Sequence, residues 1–168
     1  EYAEVSIDFN DPTTAEMVSQ GPADGVNIFF VDSFSGAGGA GRLGISPGIP
    51  GTLGVQGPYN GILINAAATQ AGPDDFYART TAEFAFHEMG HYLGLLHTTE
   101  AFFGNDIIDD TDECLQATDD ANNNQQADIT ECPDGLNPMF WTSDLNVKKA
   151  LLTTGQRRLI YYSPIAYP

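Results

Sequence analysis

Basic residues are scarce: six Lys and Arg stand against 23 Asp and Glu, for a formal net charge of −17. A surface of that sign repels phosphate backbones and anionic headgroups, which argues against nucleic acid as a partner. Long apolar runs are missing as well. No stretch approaches the roughly 18 consecutive apolar residues of a spanning helix, so membrane insertion is not expected. The first residues lack the basic start and apolar core of a signal peptide. The chain also begins with Glu1 instead of Met, so it reads as a processed or trimmed product with any leader or prosegment upstream. Cysteine is limited to Cys114 and Cys132, and histidine to three residues.

What is present fits one domain. A chain of 168 residues, 42% of them hydrophobic, can bury a respectable core, and a second full domain is not expected. The charge is uneven: no Lys or Arg lies between Arg79 and Lys148, while Glu100 to Asp134 holds eleven acids. That segment reads as a solvated loop or a cation-binding one, and an acidic surface also serves as an adaptation to salt. Both cysteines fall inside it. A disulfide between them would stabilise the fold by roughly 3 kcal/mol in the chain-entropy model and suits an extracellular protein; two free thiols in a reducing compartment are the alternative.

Along the chain, Tyr2 to Phe9 alternates apolar and polar residues and Val26 to Val31 is a short β-branched and aromatic run, so both read as strands. A short helical piece is expected near Thr13 to Gln20. From Ser35 to Gly61 glycine and proline dominate, predicting a long loop with short edge strands at Leu43 to Ile45 and Leu53 to Val55. Gly61 to Asn65 reads as a buried strand, followed by a turn at Gly72-Pro73-Asp74-Asp75. A helix is expected from about Thr81 to Leu93, with Thr80 and Glu83 as capping box and Ala82, Ala85, Phe86, Met89 and Leu93 as its apolar face. Gly94 ends it. The chain is then irregular to Gly135, and a last helix spans Thr154 to Tyr162, capped by Thr153 and Gln156 and stopped by Ser163-Pro164.

All three histidines fall in the segment His87 to His97, which reads HExxHxxGxxH. Residues four apart on a helix stand one above the other, so His87 and His91 can aim at one ion. A third ligand at helical spacing could not wrap round the ion. The helix must stop, and Gly94 can take the left-handed conformation that swings His97 back. Three neutral nitrogens leave a fourth tetrahedral position open for water, the layout of a catalytic zinc site. Zinc lowers the pKa of that water to about 7, and Glu88 is the expected general base, passing the proton on to the leaving amine. The reaction class is metal-assisted amide hydrolysis.

This motif, followed by Asn137-Pro138-Met139-Phe140, resembles the metzincin zinc metalloproteases, and within them the pappalysin group. The further cues are His97-Thr98, Asp109-Asp110-Thr111 with Cys114 soon after, and Leu152-Thr153-Thr154-Gly155-Gln156-Arg157-Arg158. The motifs cover roughly Phe84 to Ser163. The resemblance implies an α+β fold: a twisted, mostly parallel sheet with the active-site helix in an α/β-type upper subdomain, about 1–94, and an irregular lower subdomain, about 95–168, ending in a helix. Together they make one catalytic domain, lacking the family's first strand and backing helix. Met139 becomes the methionine turn, an apolar floor under the metal. The tyrosine that the family carries two residues later, a transition-state donor, is replaced by Trp141, whose indole N–H donates a hydrogen bond but supplies no phenolate.

Asp120, Asn122, Asn124, Gln126, Asp128 and Glu131 occupy positions 1, 3, 5, 7, 9 and 12 of a calcium-loop pattern, with Gln125 where glycine is usual. They are candidate calcium ligands, and a solvated loop is the alternative. An extended protein or peptide substrate would pair with one of the edge strands. Asp144, just past Met139, is a candidate wall of the specificity pocket, favouring Arg or Lys after the cut, or else an exposed surface acid. The expectation is therefore a secreted, monomeric zinc endopeptidase. Two other readings stand beside it: a zinc-stabilised binding module with weak or no activity, supported by Trp141, and a calcium-dependent structural domain.

Overall fold

The computed structural model describes residues 4–6, 8, 11–37, 39, 41–57, 59–69, 74–144 and 146–166. Its elements in chain order are β1 (Val5–Ser6), α1 (Pro12–Val18), β2 (Ile28–Val31), β3 (Phe34–Ser35), β4 (Gly44–Ile45), β5 (Ile62–Asn65), α2 (Ala66–Thr69), α3 (Asp74–Tyr92), α4 (Gln116–Asp119) and α5 (Thr154–Tyr161). The chain is α+β with a mixed sheet. It packs as two compact units, one running to Gly94 and resuming at Pro164, the other Leu95–Ser163.

In the first unit β5 is the centre of a three-stranded sheet ordered β2-β5-β4. Ile62, Leu63 and Ile64 are all buried, as a strand covered on both faces requires. β2 runs parallel to β5, pairing Phe29 with Leu63, and β4 runs antiparallel to it, pairing Gly44 with Ile64. The sheet is thus mixed, and of the three strand pairs among the described residues two are parallel and one is antiparallel. After β4 the chain only reverses through the Gly/Pro loop before entering β5, and a reversal of that kind yields an antiparallel pair without a crossover helix. β1 and β3 form a separate parallel pair. Val5, Met17, Val18, Val31, Phe34 and Leu63 form one core cluster of this unit. α1 starts where Asp11 accepts from the backbone N–H of Thr13 and Thr14, with Pro12 preset at its first turn.

Four expectations either change or reach beyond the described residues. Leu53–Val55 is a series of bends and not a strand, with Gly54 at φ +82° turning the chain. Of the expected strand Tyr2 to Phe9, Val5–Ser6 is seen, and Tyr2, Ile7 and Phe9 lie outside the described residues. Of the expected turn, Gly72 and Pro73 also lie outside them, while Asp74 and Asp75 open α3. Thr80 is therefore inside the helix and caps nothing: its hydroxyl donates to the Tyr77 carbonyl at 3.0 Å, as a mid-helix threonine does, and Glu83 faces Arg79 at 3.7 Å.

The buried stripe of α3 is also not the apolar one. Thr80, Phe84, Glu88, His91 and Tyr92 are buried, while Phe86 is 49% exposed. These positions recur at three- to four-residue spacing and lie on a helix that packs against β5 and β4. Hydrophobicity misses that face because it carries ionisable residues.

The second unit is mostly irregular. The disulfide Cys114–Cys132 crosses it, with Cα atoms 5.1 Å apart, so the alternative of two free thiols is set aside. Around it Ala127 and Phe140 are fully buried, with Phe103, Ile129 and Trp141 packed alongside. α5 begins at the expected box: Thr153 accepts from the Gln156 N–H, and Gln156 accepts from the Thr153 N–H. Among the described residues no helix is long and apolar enough to cross a membrane.

Candidate metal centre

The last two turns of α3 carry His87 and His91, whose ring centres lie 4.8 Å apart with planes at 88°. The helix closes with the Leu93 N–H on the Met89 carbonyl and the Gly94 N–H on the His91 carbonyl. Gly94 takes φ +104°, where a side chain would be strained, and ends the helix there. Leu95 is then fully buried, which anchors the chain before His97. One ligand atom from each of His87, His91 and His97 lies within 4.8 Å of the other two. A tetrahedral zinc with nitrogens at about 2.0–2.1 Å would hold them about 3.3 Å apart, a spacing inside that limit, and three imidazole nitrogens are a donor set that suits it.

Beyond the third histidine the chain is stitched to the expected methionine turn. The Thr98 N–H donates to the Met139 carbonyl at 3.0 Å and the Trp141 N–H to the Thr99 carbonyl at 3.3 Å. Met139 is fully buried, and its N–H donates to Asn137 Oδ1 at 2.9 Å. Asn137 and Gln156 exchange two amide hydrogen bonds of 3.1 Å in a buried pair, tying the turn to the start of α5. Lys149 reaches the carbonyls of Gly135 and Thr142 on either side of the turn.

Glu88 sits beneath β4. A Cβ at Gly44 would come within 2.6 Å of Glu88 Cγ and 2.7 Å of its Oε1, so only glycine leaves room for the carboxyl there. Burial pushes the Glu88 carboxyl up to about 8, partly countered by the Ser46 backbone N–H and by the positive charge of Arg42. A cation on the neighbouring imidazoles would favour its ionised form.

Trp141 packs beside the disulfide, and its indole N–H donates to the Ala127 carbonyl at 2.7 Å. That donor is thus engaged within the second unit. In the 120–131 segment Asp120 accepts from the N–H groups of Asn124 and Gln125, while Asn122 and Asn124 both donate to Asp128 Oδ2. Glu131 accepts from the Asn122 N–H at 3.1 Å. Gln125 takes φ +64°, the left-handed conformation that the loop pattern requires at that position. The Gln126 side chain is exposed. Asp144 is half-buried and accepts from the Asn146 N–H and side-chain amide.

Gly44 and Ser46 in the first unit, and Glu100, Asp134 and Lys149 in the second, carry no motif that marks them in the sequence. Glu100 is three residues past His97, and its Oε1 lies 3.0 Å from His97 Nδ1. Spacing from the third histidine was the one available signal. Asp110 and the start of α5, two separate sequence cues, meet in space: Asp110 accepts from the Thr153 hydroxyl at 2.7 Å and the Gly155 N–H at 2.8 Å.

No protein-family model matches the chain. No curated protein matches it either.

Proposed function

We propose that this chain is a secreted zinc-dependent endopeptidase similar to the metzincins of the pappalysin group. The observation that carries the reading is the convergence of His87, His91 and His97, with Glu88 one residue from the first of them on the same helix. A zinc ion held there would supply a Lewis acid that polarises a scissile carbonyl and acidifies the attacking water. Glu88 takes the proton of that water and delivers it to the leaving amine. β4 is the outer strand of its sheet and lies over Glu88, so an extended peptide paired along it would bring its backbone close to the carboxyl. The disulfide supports an oxidising, extracellular setting.

The second reading is a zinc-stabilised binding module with little or no activity. It is favoured by Trp141, where the family's tyrosine hydroxyl is replaced by an indole already bonded to Ala127. Cleavage of casein or a peptide library by the zinc-loaded chain decides between them. The endopeptidase reading predicts cleavage that a chelator abolishes and that Glu88→Gln slows by about 10²–10⁴-fold with zinc retained. One zinc per chain without cleavage of any peptide selects the binding module.

A further inference from the structure

His97 is the only one of the three imidazoles that does not stand on α3. A rigid helix orients His87 and His91, whereas His97 depends on what surrounds a stretch of irregular chain. From the structure we infer that Glu100 is a positioning residue for His97, fixing which ring nitrogen is presented to a metal. This inference rests on the zinc reading above and adds to it a residue outside the motif.

The contact is built by the chain's own turn. Glu100 opens a tight reversal in which its N–H donates to the Gly104 carbonyl at 2.6 Å and its carbonyl accepts from the Phe103 N–H at 3.0 Å. Phe103 takes φ +62° to complete the reversal, and Thr99 and Asn105 bridge its ends. The Thr99 hydroxyl lies 2.8 Å from Asp134 Oδ2, and the Thr98 N–H is held on Met139. With the backbone fixed on both sides, the Glu100 side chain comes back over His97, and Oε1 stands 3.0 Å from Nδ1.

A carboxylate at that distance favours the tautomer with the proton on Nδ1. Nε2 is then left with its lone pair for a metal. As an ion pair the contact is worth little, because the Glu100 side chain is 59% exposed. Its effect is on the ligand: loss of an outer partner of a metal-bound histidine typically weakens metal binding 10–100-fold.

The test is zinc affinity, measured on the full chain by competition with a chromophoric chelator, for wild type, Glu100→Ala, Glu100→Gln and Glu113→Gln. Glu113 is an exposed acid of the same segment and serves as the control for net charge. Glu100→Ala should bind zinc at least about tenfold more weakly. Glu100→Gln, which keeps an oxygen acceptor at the same reach, should recover part of that loss, and Glu113→Gln should match wild type. Wild-type affinity in Glu100→Ala, or an equal loss in Glu113→Gln, overturns the inference while leaving the zinc reading intact. A wild-type chain that takes up no zinc overturns the zinc reading itself.

Discussion

Asp134 is a carboxyl with 5% of its surface exposed, held by the Thr99 hydroxyl. Burial is the main reason its carboxyl sits above the ordinary range; Asp112 adds to the effect and the hydroxyls of Thr98 and Thr99 oppose it. Between the ordinary value and the raised one the folded chain holds this proton and the unfolded chain does not. Stability from this group therefore falls as pH rises through that window, and below it the group contributes no pH dependence. Asp134→Asn, which cannot ionise, should gain stability relative to wild type as pH is raised from 4 to 7. Thermal melts of the two proteins across that range would contradict the assignment if their difference stayed constant. Residues of this kind are the least legible in a sequence. Asp134 is one acid among eleven between Glu100 and Asp134, and burial alone sets it apart. The histidines were legible because their spacing encodes a geometry, two on one helical face and one beyond a glycine.

The helices divide in the same way. The box at α5 is a local device, complete within four residues, and it forms as the sequence indicates. The same signature at Thr80 and Glu83 falls inside α3, because a threonine hydroxyl bonds a carbonyl one turn back as readily as it caps a helix. The start of α5 has a second support that local reading misses, the Asp110 carboxylate on the Thr153 hydroxyl and the Gly155 N–H. Those bonds hold the Asp110 carboxyl below the usual carboxylate range. Removing the cap by Thr153→Ala should lower stability by about 1–2 kcal/mol, with Thr153→Ser close to wild type. Urea unfolding measures this, and an unchanged midpoint in Thr153→Ala would show that the box contributes nothing. The strands were legible where apolar residues run together, as at Ile62–Asn65. They were not at Leu53–Val55, where the glycine at 54 turns a short apolar piece away from the sheet.

For the whole molecule, composition set the class: an acidic chain with two cysteines that pair and no helix, among the described residues, fit to cross a membrane. The mixed sheet was less accessible, since strand direction depends on the loop that joins two strands and not on the residues in them. The irregular second unit was recognised as irregular, but its internal ties, Trp141 to Ala127 and Asn137 to Gln156, join residues far apart in the chain and follow no period. His87, His91 and His97 together offer one donor set of three imidazoles. X-ray absorption at the zinc edge, on protein carrying one equivalent of zinc, reads that set directly. Three imidazole nitrogens at about 2.0–2.1 Å, falling to two in His97→Ala, are predicted. A shell made of carboxylate oxygens, or one that His97→Ala leaves unchanged, would contradict it.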